Sequence, residues 1–144
     1  MKPATPKMRK LAERLIAEEA KLHKPGEAKA RGVTFSVSAR LRPQLVMLMG
    51  TAGYRALVSR ALTLASAEVK WLGEVRVEPD GSLQGLEELA ARFPAGAVTQ
   101  GIVTQLAHLL ELLVSFIGEG LTMRLVVELY PDLSEDDFNF AKKG

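Results

Sequence analysis

The sequence predicts an all-α protein, a bundle of five or six helices with one short β-hairpin near residues 75–83. Apolar residues recur at helical spacing through most of the 144 residues. Only 6% of the residues are aromatic, so Leu, Val and Ala must form most of the core, as they do between closely packed helices. The chain length is that of one domain with one core.

The first helix is predicted over about residues 6–23. Thr5 is a residue type that caps helix N-termini, and Pro6 suits the first helical position. Residues 24–32 then break the periodicity with Pro, Gly and charged residues, which indicates a connection. The sequence therefore predicts a basic N-terminal helix with a flexible linker over residues 1–32, followed by a single helical domain over residues 33–144. Removing the first 31 residues is expected to leave that domain folded.

Two further helices are predicted on either side of Gly50. Leu41 and Leu45 mark the first of them, which tolerates Pro43 if that residue lies in the first turn. The next helix covers about residues 52–72 and has one continuous apolar face. We expect the two helices to pack as an antiparallel pair.

The middle of the chain predicts the hairpin and two more helices. Asp80 and Gly81 supply turn chemistry after a brief alternation of apolar and polar residues. Residues 83–93 fit a short helix that Pro94 ends. Residues 98–117 carry a wide apolar face, so this helix is expected to be central in the fold.

A last helix is predicted over residues 122–130, after Gly118 and Gly120 and before Pro131, with one more helical turn over residues 135–140. Seven of the ten residues from 121 to 130 are apolar, more than a helix with one face in water usually carries. Either the core or a second copy of the chain must cover this excess. The sequence thus predicts an interface formed by Leu121, Met123, Val126, Val127 and Tyr130.

The segment from Met49 to Leu62, which reads Met-Gly-Thr-Ala-Gly-Tyr-Arg-Ala-Leu at its start, resembles one in small uncharacterised bacterial helical proteins. The resemblance extends to the run from Gly118 to Leu125 and covers about the central two-thirds of the chain. It implies a bacterial origin and attaches no activity.

The residue types exclude several kinds of chemistry. The chain contains no Cys and only two His, so no metal site and no cofactor are predicted. The longest stretch without a charged residue, residues 93–110, contains Pro94, His108 and other polar residues, which argues against a membrane span. The N-terminus shows no export signal, so a cytoplasmic location is expected.

Positive charge is concentrated near the N-terminus, where residues 1–42 hold eleven Lys or Arg and four Glu. Such an excess is typical of a solvated helix and is also found in segments that bind nucleic acid. The turn at Gly50 could also belong to a helix-turn-helix, although the helix after it offers few basic side chains. The candidate residues for binding nucleic acid or another ligand are Lys7, Arg9, Lys10, Arg14, Arg40, Arg42, Arg55 and Arg60.

His108 and Glu111 are the candidate catalytic residues, because they share one face of the central helix. An imidazole beside a carboxylate could act as a general acid or base. The same side chains, with Thr104 and Gln105, fit a packing role equally well, and the sequence favours that role. The glycines at positions 50 and 53 lack the Lys and the spacing of a phosphate-binding loop.

The sequence therefore predicts a non-enzymatic helical module that works by protein–protein contact and self-associates, with a further unknown protein partner left open. Abundant apolar helical surface without recognisable chemistry favours this function. Two alternatives stay open: a nucleic-acid-binding protein that uses the basic N-terminal arm, and an enzyme or ligand-binding protein with a pocket at His108 and Glu111.

Overall fold

The computed structural model describes residues 4–22, 36–85, 88–89 and 91–133, and 79% of the described residues are helical. The predicted all-α class is confirmed. In chain order the elements are α1 (Pro6–Lys21), α2 (Ser36–Glu68), a 3₁₀ helix (Lys70–Glu74), β1 (Arg76–Val77), β2 (Leu83–Gln84), α3 (Ala95–Ile117) and α4 (Glu119–Leu129).

The described residues form four α-helices, so the predicted count of five or six is wrong. The two helices predicted around Gly50 are both present and follow each other within α2, with a non-helical kink at that glycine. The helix predicted over residues 83–93 does not begin at Leu83, because Leu83 and Gln84 pair with β1 in an antiparallel hairpin. That hairpin is the one the sequence predicted. The turn predicted over residues 135–140 lies outside the described residues.

Helix α2 begins earlier than its apolar spacing indicated. It starts at Ser36, so Pro43 lies inside the helix and not in its first turn. A proline there cannot donate a backbone hydrogen bond to Ala39, four residues earlier. Ala39 is exposed, so water can reach the carbonyl that is left without its helical donor.

Two glycines turn the chain between helical segments. Gly50 has φ 78° and ψ 165°, and Gly118 has φ 92° and ψ 155°, a backbone region that is essentially restricted to glycine. Gly50 divides α2 into residues 36–49, called α2a, and residues 51–68, called α2b. The Tyr54 hydroxyl of α2b donates a hydrogen bond of 3.1 Å to the Ser38 carbonyl of α2a, so the two segments lie against each other beyond the break.

Helix α3 is the centre of the fold, as predicted, and packs against α1, α2 and α4. Every residue from 101 to 110 is buried. Gly101 permits the closest approach, because a Cβ atom there would lie 2.2 Å from Cζ2 of Trp71. Trp71 also stacks on Phe93, with ring centroids 5.8 Å apart. The indole therefore packs between Phe93 and the N-terminal part of α3.

Helix α1 belongs to this same core. Its Met8, Leu11, Leu15 and Ile16 are all buried, and the helix packs mainly on α3. The sequence predicted one core over residues 33–144 with α1 as an arm, and left open whether that arm docks; here α1 contributes to the core. The sequence pattern of an amphipathic helix followed by a polar connection is the same whether or not the helix docks on a core. Here α1 docks on α3. Removal of α1 would uncover the apolar side chains beneath it.

Among the described residues, α3 is the one helix that is long and apolar enough to cross a membrane by length and composition alone. In its most apolar 18-residue window, 61% lies buried inside the protein. The core helix of a soluble protein meets the same criteria.

The glycine breaks lead to a stability prediction. Gly118→Ala should lower the free energy of unfolding by about 1–3 kcal/mol, because alanine is strained at a positive φ even though nothing lies within 4 Å of the new Cβ. Gly120→Ala is the matched control. It lies two residues away inside α4, also with nothing within 4 Å, and should be neutral or stabilising by up to about 1 kcal/mol. Urea denaturation of both variants measures the difference, and equal effects would contradict the assigned role of Gly118.

Candidate functional site

His108 is bound to Glu68 in the interior of the protein. Only 3% of His108 is exposed, and its Nε2 lies 2.5 Å from Oε2 of Glu68. The Arg9 guanidinium pairs with Oε1 of the same carboxylate at 2.5 Å and donates a second hydrogen bond of 3.3 Å to the Thr104 hydroxyl. The backbone N–H of Ala4 donates to Oε2 at 3.2 Å. We call these five residues the Glu68 cluster.

Three helices bring the Glu68 cluster together. Thr104 and His108 lie one turn apart on α3, Glu68 is the last residue of α2, and Arg9 lies near the start of α1. The start of α1 is fixed by the Thr5 hydroxyl, which accepts a hydrogen bond from the backbone N–H of Met8 at 3.3 Å and confirms the predicted N-cap. The cluster therefore joins the beginning of α1 to the end of α2 across the middle of α3.

The pKa of Glu68 is set by opposing effects. Burial raises the pKa of this carboxyl, whereas hydrogen bonds from His108, Ala4 and Arg9, together with the positive charge of Arg9, lower it more. The net result is a pKa below the ordinary value of 4.5. Glu68 is thus ionised at neutral pH and carries the negative charge that holds the cluster together.

The structure does not pair His108 with Glu111 as the sequence suggested. Glu111 is half-buried, and the hydrogen bond of the His108 ring goes to Glu68, 40 positions earlier in the chain. Sequence reasoning missed Glu68 because local spacing carries no information about contacts between distant helices. One signal did point to such a partner: Thr104 and His108 stand four apart on a strongly apolar helix, and buried polar side chains require partners.

A second buried carboxylate fixes the other end of α1. Glu19 is 2% exposed, and the Arg40 guanidinium pairs with both of its oxygens at 2.7 and 2.9 Å. The Tyr130 hydroxyl donates to Oε1 of Glu19 at 2.7 Å. Burial, followed by the bond to Glu19 and its charge, raises the pKa of Tyr130 well above its ordinary value. We call Glu19, Arg40 and Tyr130 the Glu19 cluster.

Most of the candidate basic residues have partners within the chain. Arg9 and Arg40 belong to the two clusters, and Arg14 pairs with Glu18 at 3.7 Å. Two further arginines approach the hairpin turn: Arg42 pairs with Asp80 at 3.7 Å, and Arg55 donates to the Glu78 carbonyl at 3.3 Å. Lys7, Lys10 and Arg60 lie at exposed positions, and Lys7 also has an interaction of its own. Intramolecular pairing thus reduces the positive charge that is left for nucleic acid.

The chain itself covers most of the interface predicted on α4. Met123 is 8% exposed, Val126 is 0% exposed and Tyr130 is 2% exposed, and all three belong to the hydrophobic core. Leu121 and Val127 are half-buried. The sequence left open whether the core or a second copy of the chain covers these residues. The core covers three of the five.

A different apolar surface is exposed at the end of α2a. Met47 is 86% exposed and its neighbour Leu48 is 50% exposed. No charged residue occurs between Arg42 and Arg55. We define the 43–52 surface as the exposed residues of this stretch, namely Pro43, Met47, Leu48, Gly50, Thr51 and Ala52. The contacts of Arg42 with Asp80 and of Arg55 with Glu78 form a polar border at its two ends.

No known protein family, curated protein or solved structure matches this chain. Within the described ranges, no group of three or more His, Cys, Asp or Glu side chains is placed to hold a metal ion.

The Glu68 cluster predicts a large effect of one substitution. Glu68→Ala should lower the free energy of unfolding by about 1–3 kcal/mol, because Arg9, His108 and the Ala4 N–H all lose their acceptor. Glu74→Ala is the control, since Glu74 pairs with Arg92 at 3.2 Å on the surface and both side chains are more than half exposed. That change should cost less than about 1 kcal/mol. Denaturant unfolding at neutral pH compares them, and similar losses would show that the cluster does not stabilise the fold.

The lowered pKa of Glu68 also predicts a pH dependence. Its stabilising contribution is fully present above the unfolded-state value of 4.5 and is lost as the pH falls through the lower folded-state pKa. Glu68→Gln removes this titration. The stability difference between the natural protein and the variant should therefore shrink as the pH is lowered from about 6 to 3. Thermal unfolding across that range tests this, and a constant difference would contradict it.

Proposed function

We propose that this protein is a non-enzymatic interaction module and that it self-associates through the 43–52 surface. One observation carries the proposal: Met47, a large apolar side chain, is 86% exposed beside Leu48, which is half exposed. Contiguous exposed apolar residues with a polar border are typical of protein interaction sites.

A second copy of the chain is the partner that this surface favours. Ten successive residues carry no charge, so two copies can face each other there without bringing like charges together. In a two-fold symmetric pair the same patch is used by both chains, and Met47 of one chain would meet the apolar residues of the other. A charged partner would find no opposite charge within the patch.

The interface is expected to be weak. Stable complexes bury about 800 Å² on each partner, and one helical turn with its flanking residues supplies only part of that area. The border residues, including Arg42 and Asp80, would have to contribute the rest. We therefore expect an equilibrium between monomer and dimer that depends on protein concentration, in the micromolar range typical of small interfaces.

The Glu68 cluster is assigned a stabilising role in this proposal. Both oxygens of Glu68 accept hydrogen bonds from the chain, and the His108 ring is directed to that carboxylate. These contacts account for Thr104 and His108 on α3 without a substrate.

A charge placed in the surface tests the proposal. Met47→Glu should raise the dissociation constant of the dimer at least about tenfold, because association would bury a carboxylate without a partner. The monomer should stay folded with an unchanged melting temperature, since the side chain at position 47 already lies in water. Sedimentation equilibrium measures the first effect and thermal melting the second.

Ala17→Glu is the matched control, because it introduces the same charge at an exposed position of α1. It should leave the dissociation constant unchanged. A natural protein that is monomeric at every concentration tested, or a Met47→Glu variant that associates as the natural protein does, would refute self-association through this surface.

A further inference from the structure

We infer that Met47 is a site of oxidative modification and that its sulfoxide switches off association through the 43–52 surface. The second half of this inference rests on the proposed function. The exposed fraction of Met47 is 86%, compared with 6% for Met8 and 8% for Met123. Met49 is half-buried against the core. A dissolved oxidant therefore reaches the sulfur of Met47 ahead of these three.

Methionine is the only residue type in this chain that offers sulfur to an oxidant. The protein contains no Cys, so a peroxide meets no thiol that would react with it first. Methionine thioethers are the only sulfur atoms. Of the five methionines, Met1 lies outside the described residues, and among the other four Met47 is the most exposed.

The reaction requires an organic or hydrogen peroxide. The thioether sulfur donates an electron pair to the outer peroxide oxygen, an S–O bond forms and the O–O bond breaks. The sulfur is oxidised by two electrons, and the hydroxide or alkoxide that leaves takes up the proton lost from the new S–OH group, which gives water or an alcohol. The product is methionine sulfoxide, a polar group in place of an apolar one.

The surroundings of Met47 offer little to bind such a group. The other exposed residues of the 43–52 surface are Pro43, Leu48, Gly50, Thr51 and Ala52, and of these Thr51 alone carries a side-chain hydrogen-bond donor. The half-buried Gln44, one helical turn before Met47, carries one amide group. An apolar interface that buries the sulfoxide would leave its oxygen largely without partners, which disfavours association. On the monomer, water solvates the same oxygen at no such cost.

Association and oxidation must then oppose each other reciprocally. If the sulfoxide weakens the dimer, the dimer equally disfavours formation of the sulfoxide, because both effects are one coupling free energy. The interface also shields the Met47 sulfur from the oxidant. Oxidation of Met47 should therefore slow as the protein concentration rises, whereas the oxidation rate of methionines outside the 43–52 surface should not depend on concentration.

The experiment treats the full chain with dilute hydrogen peroxide and follows each methionine by peptide mass spectrometry. Met47 should be oxidised about tenfold faster than Met8 and Met123, in proportion to the exposed fractions. Sedimentation equilibrium of the oxidised protein should show a dissociation constant raised at least about tenfold.

Two variants serve as controls. Met47→Leu keeps an apolar side chain of similar size and should associate normally before and after peroxide. Met49→Leu, a matched change two residues away, should leave the loss of association in peroxide unchanged.

The outcomes separate the two parts. Oxidation of Met8 or Met123 as fast as Met47 would overturn the modification site. Protein oxidised at Met47 that associates like the untreated protein would overturn the switch. An untreated protein that is always monomeric would refute the proposed function and the switch together, while the mass spectra alone still decide whether Met47 is the preferred site.

Discussion

The burial of residues 101–110 of α3 on all sides is the constraint on which the rest of the structure depends. Every residue from 101 to 110 is removed from water, and three of them, Thr104, Gln105 and His108, carry polar groups that need partners. Covering the helix requires α1, α2 and α4. Glu68 and Arg9 supply the partners of His108 and Thr104, and the Ser38 hydroxyl donates to the Gln105 side chain. The same requirement explains why α1 docks on the core: it brings Arg9 to Glu68 at one end and Glu19 to Arg40 at the other.

Features that depend on neighbouring residues could be predicted from the sequence. The helical class, the central helix, the hairpin turn and the Thr5 cap all follow from local spacing or from the chemistry of one or two positions. The start of the helix predicted over residues 83–93 is wrong, although residues 88–89 are helical: Leu83 and Gln84 suit a helix by spacing, yet β1 lies beside them and pairs with them. Pairing with a neighbouring strand overrides a weak helical pattern.

Features that depend on the topology could not be predicted. Glu68 and His108 are 40 positions apart, so the choice of Glu68 over Glu111 is made by the packing of α2 on α3. The apolar excess of α4 was visible, but periodicity cannot distinguish a helix covered by its own core from one covered by a second chain. The exposure of Met47 could not be predicted either, because Met47 belongs to a continuous apolar run in which Leu45, two residues earlier, is fully buried.

The central claim is that the core covers most of the apolar residues of α4 and that a second copy, as we propose, uses the 43–52 surface. Amide chemical shifts of ¹⁵N-labelled protein, recorded over a series of dilutions, test it most directly. The account predicts that signals from residues 43–52 shift with protein concentration while those from residues 121–130 stay constant. Concentration-dependent shifts in residues 121–130 with constant signals in residues 43–52 would contradict it.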